Sequence, residues 1–322
     1  MRRRILFALV GAAASVPCSP EAQETGRTRR IAFLSFGREV PPRVAILDGL
    51  RSMGFVEGRN LAIDERGRGL RGNQLTFVAT QLAQLGVDAF ICTSGSETIR
   101  AAQAATTTIP IIGIADDMVK EGLAGSLANR SGNTTGISIL ATELDGKRQE
   151  LLMEALPKIR RMAVLADAIV LPPSHSDSLE AAARSRGVDL TVYRVEKLND
   201  IPVALDAAKA SGAQAVNILA SSFLQLNRQL ILAKAHALGL ATMFQWPEDV
   251  TDGALLAYGP GQLDTFRHLG RMAGKVLRGA RPADLPIEQP ASFKLAINLK
   301  LAREFGITVP PSILFRADEV IE

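Results

Sequence analysis

From Arg30 onward, short apolar runs alternate with segments whose apolar residues recur every three or four positions. Arg30-Ile31-Ala32-Phe33-Leu34-Ser35 reads as a buried strand ending in a polar turn. A helix over 43–53 follows, with Ile46, Leu50 and Met53 on one face and Gly54 as its stop. Next come a strand at 60–65, a helix near 73–85 ended by Gly86, and a strand from Val87 to Cys92. A turn into a helix spans Ser94 to Ala105, and another strand runs from Pro110 to Ile114. The alternation resumes past residue 140: strand 161–166, helix 177–186, Gly187, strand 188–193, helix 201–210, Gly212 and strand 214–219. Such a pattern predicts an α/β fold, with βαβ units around parallel sheets.

The pattern repeats. Strand starts near Arg30 and Val87 lie 57 residues apart, and those near Arg161 and Gln214 lie 53 apart. Each later strand of the pair follows a glycine stop and ends in a hydroxyl-rich turn, Thr93-Ser94-Gly95-Ser96 and Ser221-Ser222. Two similar lobes are the economical reading, and one doubly wound sheet of ten strands is the alternative.

Ahead of the first strand, Met1-Arg2-Arg3-Arg4 precedes twelve apolar residues from Ile5 to Val16. A run this short falls below the ~18–20 residues a membrane span needs, so residues 1–22 are expected to be a secretory signal peptide. Pro17 is a poor neighbour for a lipid-anchored Cys18, so no anchor is expected there. Loss of 1–22 removes three arginines and Glu21, taking the formal charge from +4 to +2. The exported chain keeps only Cys92 and no internal disulfide, and its expected location is the periplasm.

Composition narrows the function classes. Of 322 residues, 47% are hydrophobic and 22% charged, an ordinary globular balance whose length suits two domains. Basic residues are scattered and aromatics make up 5%, so neither a nucleic-acid face nor a stacking platform is expected. His175, His236 and His268 lie far apart, and no G-x-S-x-G elbow or Walker loop is present. The chain is therefore expected to be no enzyme, with no metal and no cofactor. Gly67-Arg68-Gly69-Leu70-Arg71-Gly72 fits the dinucleotide fingerprint G-x-G-x-x-G, but it follows the second strand of its lobe and the charged Asp64-Glu65-Arg66. It reads as a flexible basic loop.

In open parallel sheets, ligands sit beyond the carboxyl ends of the strands. The candidates there are Ser35 and Phe36; Thr93, Ser94, Gly95 and Ser96; Asp116 and Asp117; Asp167; Ser221 and Ser222; and Gln245 and Trp246. Small hydroxyls and helix-start N–H groups suit a carboxylate, and Phe36 and Trp246 suit a flat or apolar body. The hydroxyls read equally as helix N-caps. Asp116-Asp117 fits a ligand ammonium or a cap for a helix starting near Val119, and Trp246 a cavity wall or the core.

Several stretches resemble the ABC-transporter substrate-binding protein family that includes the tryptophan- and tyrosine-binding lipoproteins. They are Gly49-Leu50-Arg51-Ser52-Met53-Gly54-Phe55-Val56-Glu57-Gly58-Arg59-Asn60, Ala104-Ala105-Thr106-Thr107-Thr108-Ile109-Pro110-Ile111, Gly132-Asn133-Thr134-Thr135-Gly136 and Gly146-Lys147-Arg148-Gln149-Glu150-Leu151-Leu152. Ile297-Asn298-Leu299-Lys300-Leu301-Ala302 and the ending from Val309 to Ile321 complete the set. The resemblance implies a type 1 periplasmic-binding-protein fold with three crossovers. Lobe one would be 28–138 plus 258–287, and lobe two 139–257 plus 288–322. It also implies a monomer that closes on a small-molecule ligand, an amino acid or an aromatic or other organic acid, and delivers it to an ABC permease; the alternatives are a binding module that reports its ligand to a membrane receptor and a secreted α/β enzyme. The family's turns fall on Ser35-Phe36, Ser94-Gly95-Ser96 and Asp117, and in lobe two on Asp167, Ser221-Ser222-Phe223 and Gln245-Trp246. Asp117-Met118 replaces the Asp-Pro common in relatives.

Overall fold

The computed structural model describes residues 27–37, 40–125 and 132–322. The expected signal peptide, residues 1–22 with Cys18, lies outside the described residues.

The first half builds β1 (Arg29–Ser35), α1 (Val40–Ser52), β2 (Leu61–Arg68), α2 (Gly72–Gln84), β3 (Ala89–Cys92), α3 (Ser96–Ala105), β4 (Ile111–Ala115) and β5 (Thr134–Ser138). Its strands form one parallel sheet in the order β2-β1-β3-β4-β5. The second half builds α4 (Asp145–Ala155), β6 (Arg161–Asp167), α5 (Pro173–Ser185), β7 (Asp189–Val195), α6 (Asp200–Ala210) and β8 (Ala215–Ile218). It continues with α7 (Ser222–Leu226), α8 (Arg228–Ala237), β9 (Ala241–Phe244) and β10 (Leu256–Gly259). After α9 (Gln262–Leu277) come β11 (Lys294–Asn298), α10 (Leu299–Glu304), α11 (Pro311–Leu314) and β12 (Glu319–Ile321). The second sheet runs β12-β11-β10-β9-β8-β6-β7, parallel except where β10 meets β11.

The order β2-β1-β3-β4 recurs as β7-β6-β8-β9, so the chain has two sheets of one design and not a single ten-stranded sheet. Central strands read as apolar runs because helices cover both faces: all of β3, β4, β8 and β9 is buried. Helix α1 starts before the proline pair Pro41-Pro42, three residues earlier than expected, because proline is tolerated in a helix's first turn.

Helix α9 follows β10 of the second sheet but packs on α1 of the first. Its Phe266, Leu269, Met272 and Ala273 join Ile31, Phe33, Ile46 and Leu50 in one core. The crossing is close because glycines face each other. A Cβ on Gly49 would lie 2.1 Å from the Arg267 carbonyl oxygen, and one on Gly270 would lie 2.1 Å from that of Ile46.

The chain passes between the lobes after β5, after β10 and ahead of β11. Two expected boundaries shift by one or two residues. Tyr258 and Gly259 still pair with Leu295 and Lys294 in the second sheet. Glu288 stays with the first sheet, where its N–H donates to Gly136 and its carbonyl accepts from Ser138.

Candidate functional site

The carboxyl ends of β1, β3, β4, β6, β8 and β9 converge on one cavity of about 1150 Å³ between the lobes. Phe36, Thr93, Ser94, Gly95, Ser96, Asp116 and Asp117 line it from the first lobe, and Asp167, Ser221, Ser222, Gln245 and Trp246 from the second. Ser35 does not: it is buried, and its hydroxyl donates to the Gly37 carbonyl at 2.7 Å. The lobes approach at the hydroxyl turns, where a Cβ on Gly95 would stand 3.6 Å from Ser222 Oγ.

The two hydroxyl turns differ. Ser221 Oγ accepts from the N–H groups of Phe223 and Leu224 and donates to Asp167 Oδ2 at 2.7 Å, so it caps α7 and orients the carboxylate. Asp167 Oδ1 accepts from the Ile169 N–H at 3.0 Å. At α3 the N-cap is Gly95, which has no side chain to fold over the helix start. Ser94 Oγ instead accepts from the Phe36 N–H at 3.0 Å. The first-turn N–H groups of this ten-residue helix therefore have no side-chain cap at the cavity wall.

The helix expected near Val119 is absent. Residues 118–122 form a tight turn in which Asp117 Oδ1 accepts from the Val119 and Lys120 N–H groups at 3.1 and 3.0 Å. Short-range side-chain acceptance competes with helix formation there. Asp116 Oδ1 accepts from the Thr142 N–H at 2.9 Å, tying the end of β4 to the first crossover.

Trp246 is both core and wall. It is buried, its ring centroid stands 6.4 Å from that of Phe266 in α9, and it lines the cavity. Behind it lies Asp249, whose oxygens accept from Gln225 Nε2 at 2.7 Å and from the Trp246 N–H at 3.3 Å. Burial pushes the Asp249 carboxyl up to about 7, against the pull of Gln225, Arg228 and the Trp246 N–H.

Sequence reasoning missed several wall residues. The 67–72 stretch is not a flexible basic loop: Gly67 and Arg68 end β2, Arg68 is buried against Glu65 at 2.9 Å, and a Cβ on Gly67 would meet the Phe33 carbonyl at 2.5 Å. Arg71 beyond it reaches the cavity, with Cζ 4.3 Å from the Phe36 ring centroid and 5.2 Å from that of Phe223 in the other lobe. Its signal was the basic loop itself. Gly146 and His175 also line the cavity.

Beneath them is a buried ion pair. Arg148 Nη1 donates to Asp145 Oδ1 at 2.7 Å and to the Ala141 carbonyl at 2.8 Å, and its Nε donates to the Tyr258 carbonyl at 2.8 Å. One guanidinium thus joins the first crossover to the end of β10. Burial lowers its pKa from the ordinary guanidinium value, with Asp145 opposing that fall. His175 Nε2 stands 3.2 Å from the other Asp145 oxygen.

Cys92 is buried and inert, its thiol pKa pushed up by burial. Among the described residues, no helix is long and apolar enough to cross a membrane and no cluster of side chains could hold a metal ion.

A family model described as ABC transporter substrate binding protein matches residues 40–321. A conserved domain protein from Vibrio cholerae has the same fold, with a TM-score of 0.79 at 23% identity over 91% of this chain and all of that one. An ABC domain from Streptococcus pneumonia, solved in complex with L-Trp, gives a TM-score of 0.79 at 23% identity over the same shares. The ligand-free, open form of a substrate-binding protein from Clostridium difficile gives 0.61 at 19% identity over 91% of this chain and 99% of that one. An uncharacterized protein of Rickettsia prowazekii is 27% identical over 124 residues, 38% of this chain and 41% of that relative's length.

Proposed function

The chain belongs to the ABC transporter substrate-binding protein family, and from that premise we propose that it is the extracytoplasmic solute-binding component of an importer. It closes its two lobes on a small carboxylate-bearing ligand, an amino acid or an aromatic or other organic acid, and delivers it to a membrane permease. The observation that carries this reading is the cavity walled by strand ends from both lobes. A ligand that touches both walls favours the closed arrangement, so binding shifts the population toward closure. The uncapped start of α3 suits a carboxylate, Asp116, Asp117 and Asp167 suit an ammonium, and Phe36, Phe223 and Trp246 supply apolar faces. In this reading residues 1–22 direct export, the mature protein acts as a periplasmic monomer, and it performs no reaction.

The test is a thermal-shift screen of refolded protein against the amino acids, aromatic carboxylates and small organic acids. Refolding removes any co-purified ligand. A ligand at roughly 100 times its dissociation constant stabilises the fold by about 2.7 kcal/mol, a readily measured shift. The folded Ser94→Trp variant is expected to lose that response, because the indole fills the cavity beside Phe36. An unchanged affinity in the variant removes Ser94 from the site, and a blank screen of well-folded wild type defeats the carboxylate reading.

A further inference from the structure

Arg71 carries chemistry that its loop conceals. The guanidinium lies against Phe36 of its own lobe and Phe223 of the opposite lobe. Ring faces attract a cation but offer no lone pair, so they leave the N–H donors of this exposed side chain open to solvent or to a ligand. Among the described residues, no carboxylate or carbonyl accepts from this side chain, although arginines elsewhere in the chain are widely paired. Its backbone is held on both sides. The Gly69 N–H donates to the Ser35 carbonyl at 2.8 Å, and the Gly72 N–H donates to Glu97 Oε1 at 2.6 Å. A guanidinium with a fixed base, aromatic contacts and unclaimed donors is a preorganised receptor for a planar anion, which it can grip through two parallel hydrogen bonds.

We infer that Arg71 is the residue that selects for a carboxylate in this cleft, its guanidinium steadied by Phe36 and Phe223 while its N–H fork takes the ligand's acid group. The inference rests on the solute-binding reading given above. It also couples recognition to closure: Phe223 comes from the second lobe, so the receptor is complete only when the lobes are together.

The test compares acids with their primary amides, L-tryptophan with L-tryptophanamide and phenylacetate with phenylacetamide. Each is titrated calorimetrically into refolded wild type, Arg71→Met and Arg71→Lys, with circular dichroism confirming the fold. The expected result is a wild type that prefers the acid, and an Arg71→Met protein that loses roughly 10- to 100-fold in acid affinity, the range for charge-assisted hydrogen bonds. Amide affinity stays within about twofold, and Arg71→Lys recovers part of the loss because it keeps the charge without the fork. Acid affinity unchanged in Arg71→Met overturns the inference and leaves the cleft reading standing. Equal losses on acid and amide also overturn it, since they mark a wall residue rather than an anion receptor. A wild type that binds neither these acids nor any acid of the thermal-shift screen overturns the carboxylate reading on which the inference rests.

Discussion

Asp249 ties two residues of the cavity wall to one buried carboxylate. Its pKa of about 7 in the folded protein, against 3.8 for an ordinary aspartate, means that folding favours the protonated form. The sign follows from linkage: this group's stabilising contribution is complete below about pH 4 and is lost as pH rises through 7. Wild-type stability relative to Asp249→Asn should therefore fall between pH 4 and 8, by an amount on the order of a few kcal/mol. Thermal melts of both proteins across that range check it, and parallel profiles would sink the idea. The sequence left open whether a hydroxyl at a strand end caps a helix or faces a ligand, and Ser221 caps α7 while Ser94 bonds the Phe36 N–H.

At the scale of elements, the buried parallel strands were legible because helices on both faces demand unbroken apolar runs. Strand β5 was not. Its sequence Thr134-Thr135-Gly136-Ile137-Ser138 reads as polar, yet Thr135 and Ser138 are buried. The Thr135 hydroxyl lies 3.4 Å from the Leu285 and Pro286 carbonyls, and Ser138 Oγ accepts from the Met118 N–H at 3.0 Å. Partners remote in sequence satisfied them, and no local pattern could supply those. Charge concealed Arg71 in the same way, since its aromatic contacts come from residues 36 and 223. The α1–α9 crossing yields a sharper expectation. Gly49→Ala places a methyl carbon 2.1 Å from a backbone oxygen, so the helices must part. A loss of about 1–3 kcal/mol, as for other overpacked contacts, is expected in urea denaturation. Wild-type stability would mean that the helices separate at no cost.

Between the lobes, the decisive side chain is Arg148, which from full burial joins the first crossover to the end of β10. Its Gly-Lys-Arg-Gln-Glu setting marked the family in the sequence, and its place beneath the first crossover became visible only in three dimensions. Arg148→Met leaves Asp145 buried without its partner, and removing one member of a buried pair costs about 3–5 kcal/mol. Arg148→Lys should rescue little, because one ammonium cannot reproduce the fork that serves Ala141, Asp145 and Tyr258 at once. Equilibrium unfolding reads both variants, and near-wild-type stability in either would show that the crossovers do not depend on this guanidinium.

The route of the chain also bears on the order in which the protein can be finished as it is synthesised. By residue 138 a ribosome has released every strand of the first sheet, but the helix that seals one of its faces ends at Leu277. Until then Ile31, Phe33, Ile46 and Leu50 lack Phe266, Leu269, Met272 and Ala273, the α9 side of the core they share. The half made first is therefore completed only after most of the other half exists, and an unfinished chain carries an open apolar face through much of its elongation.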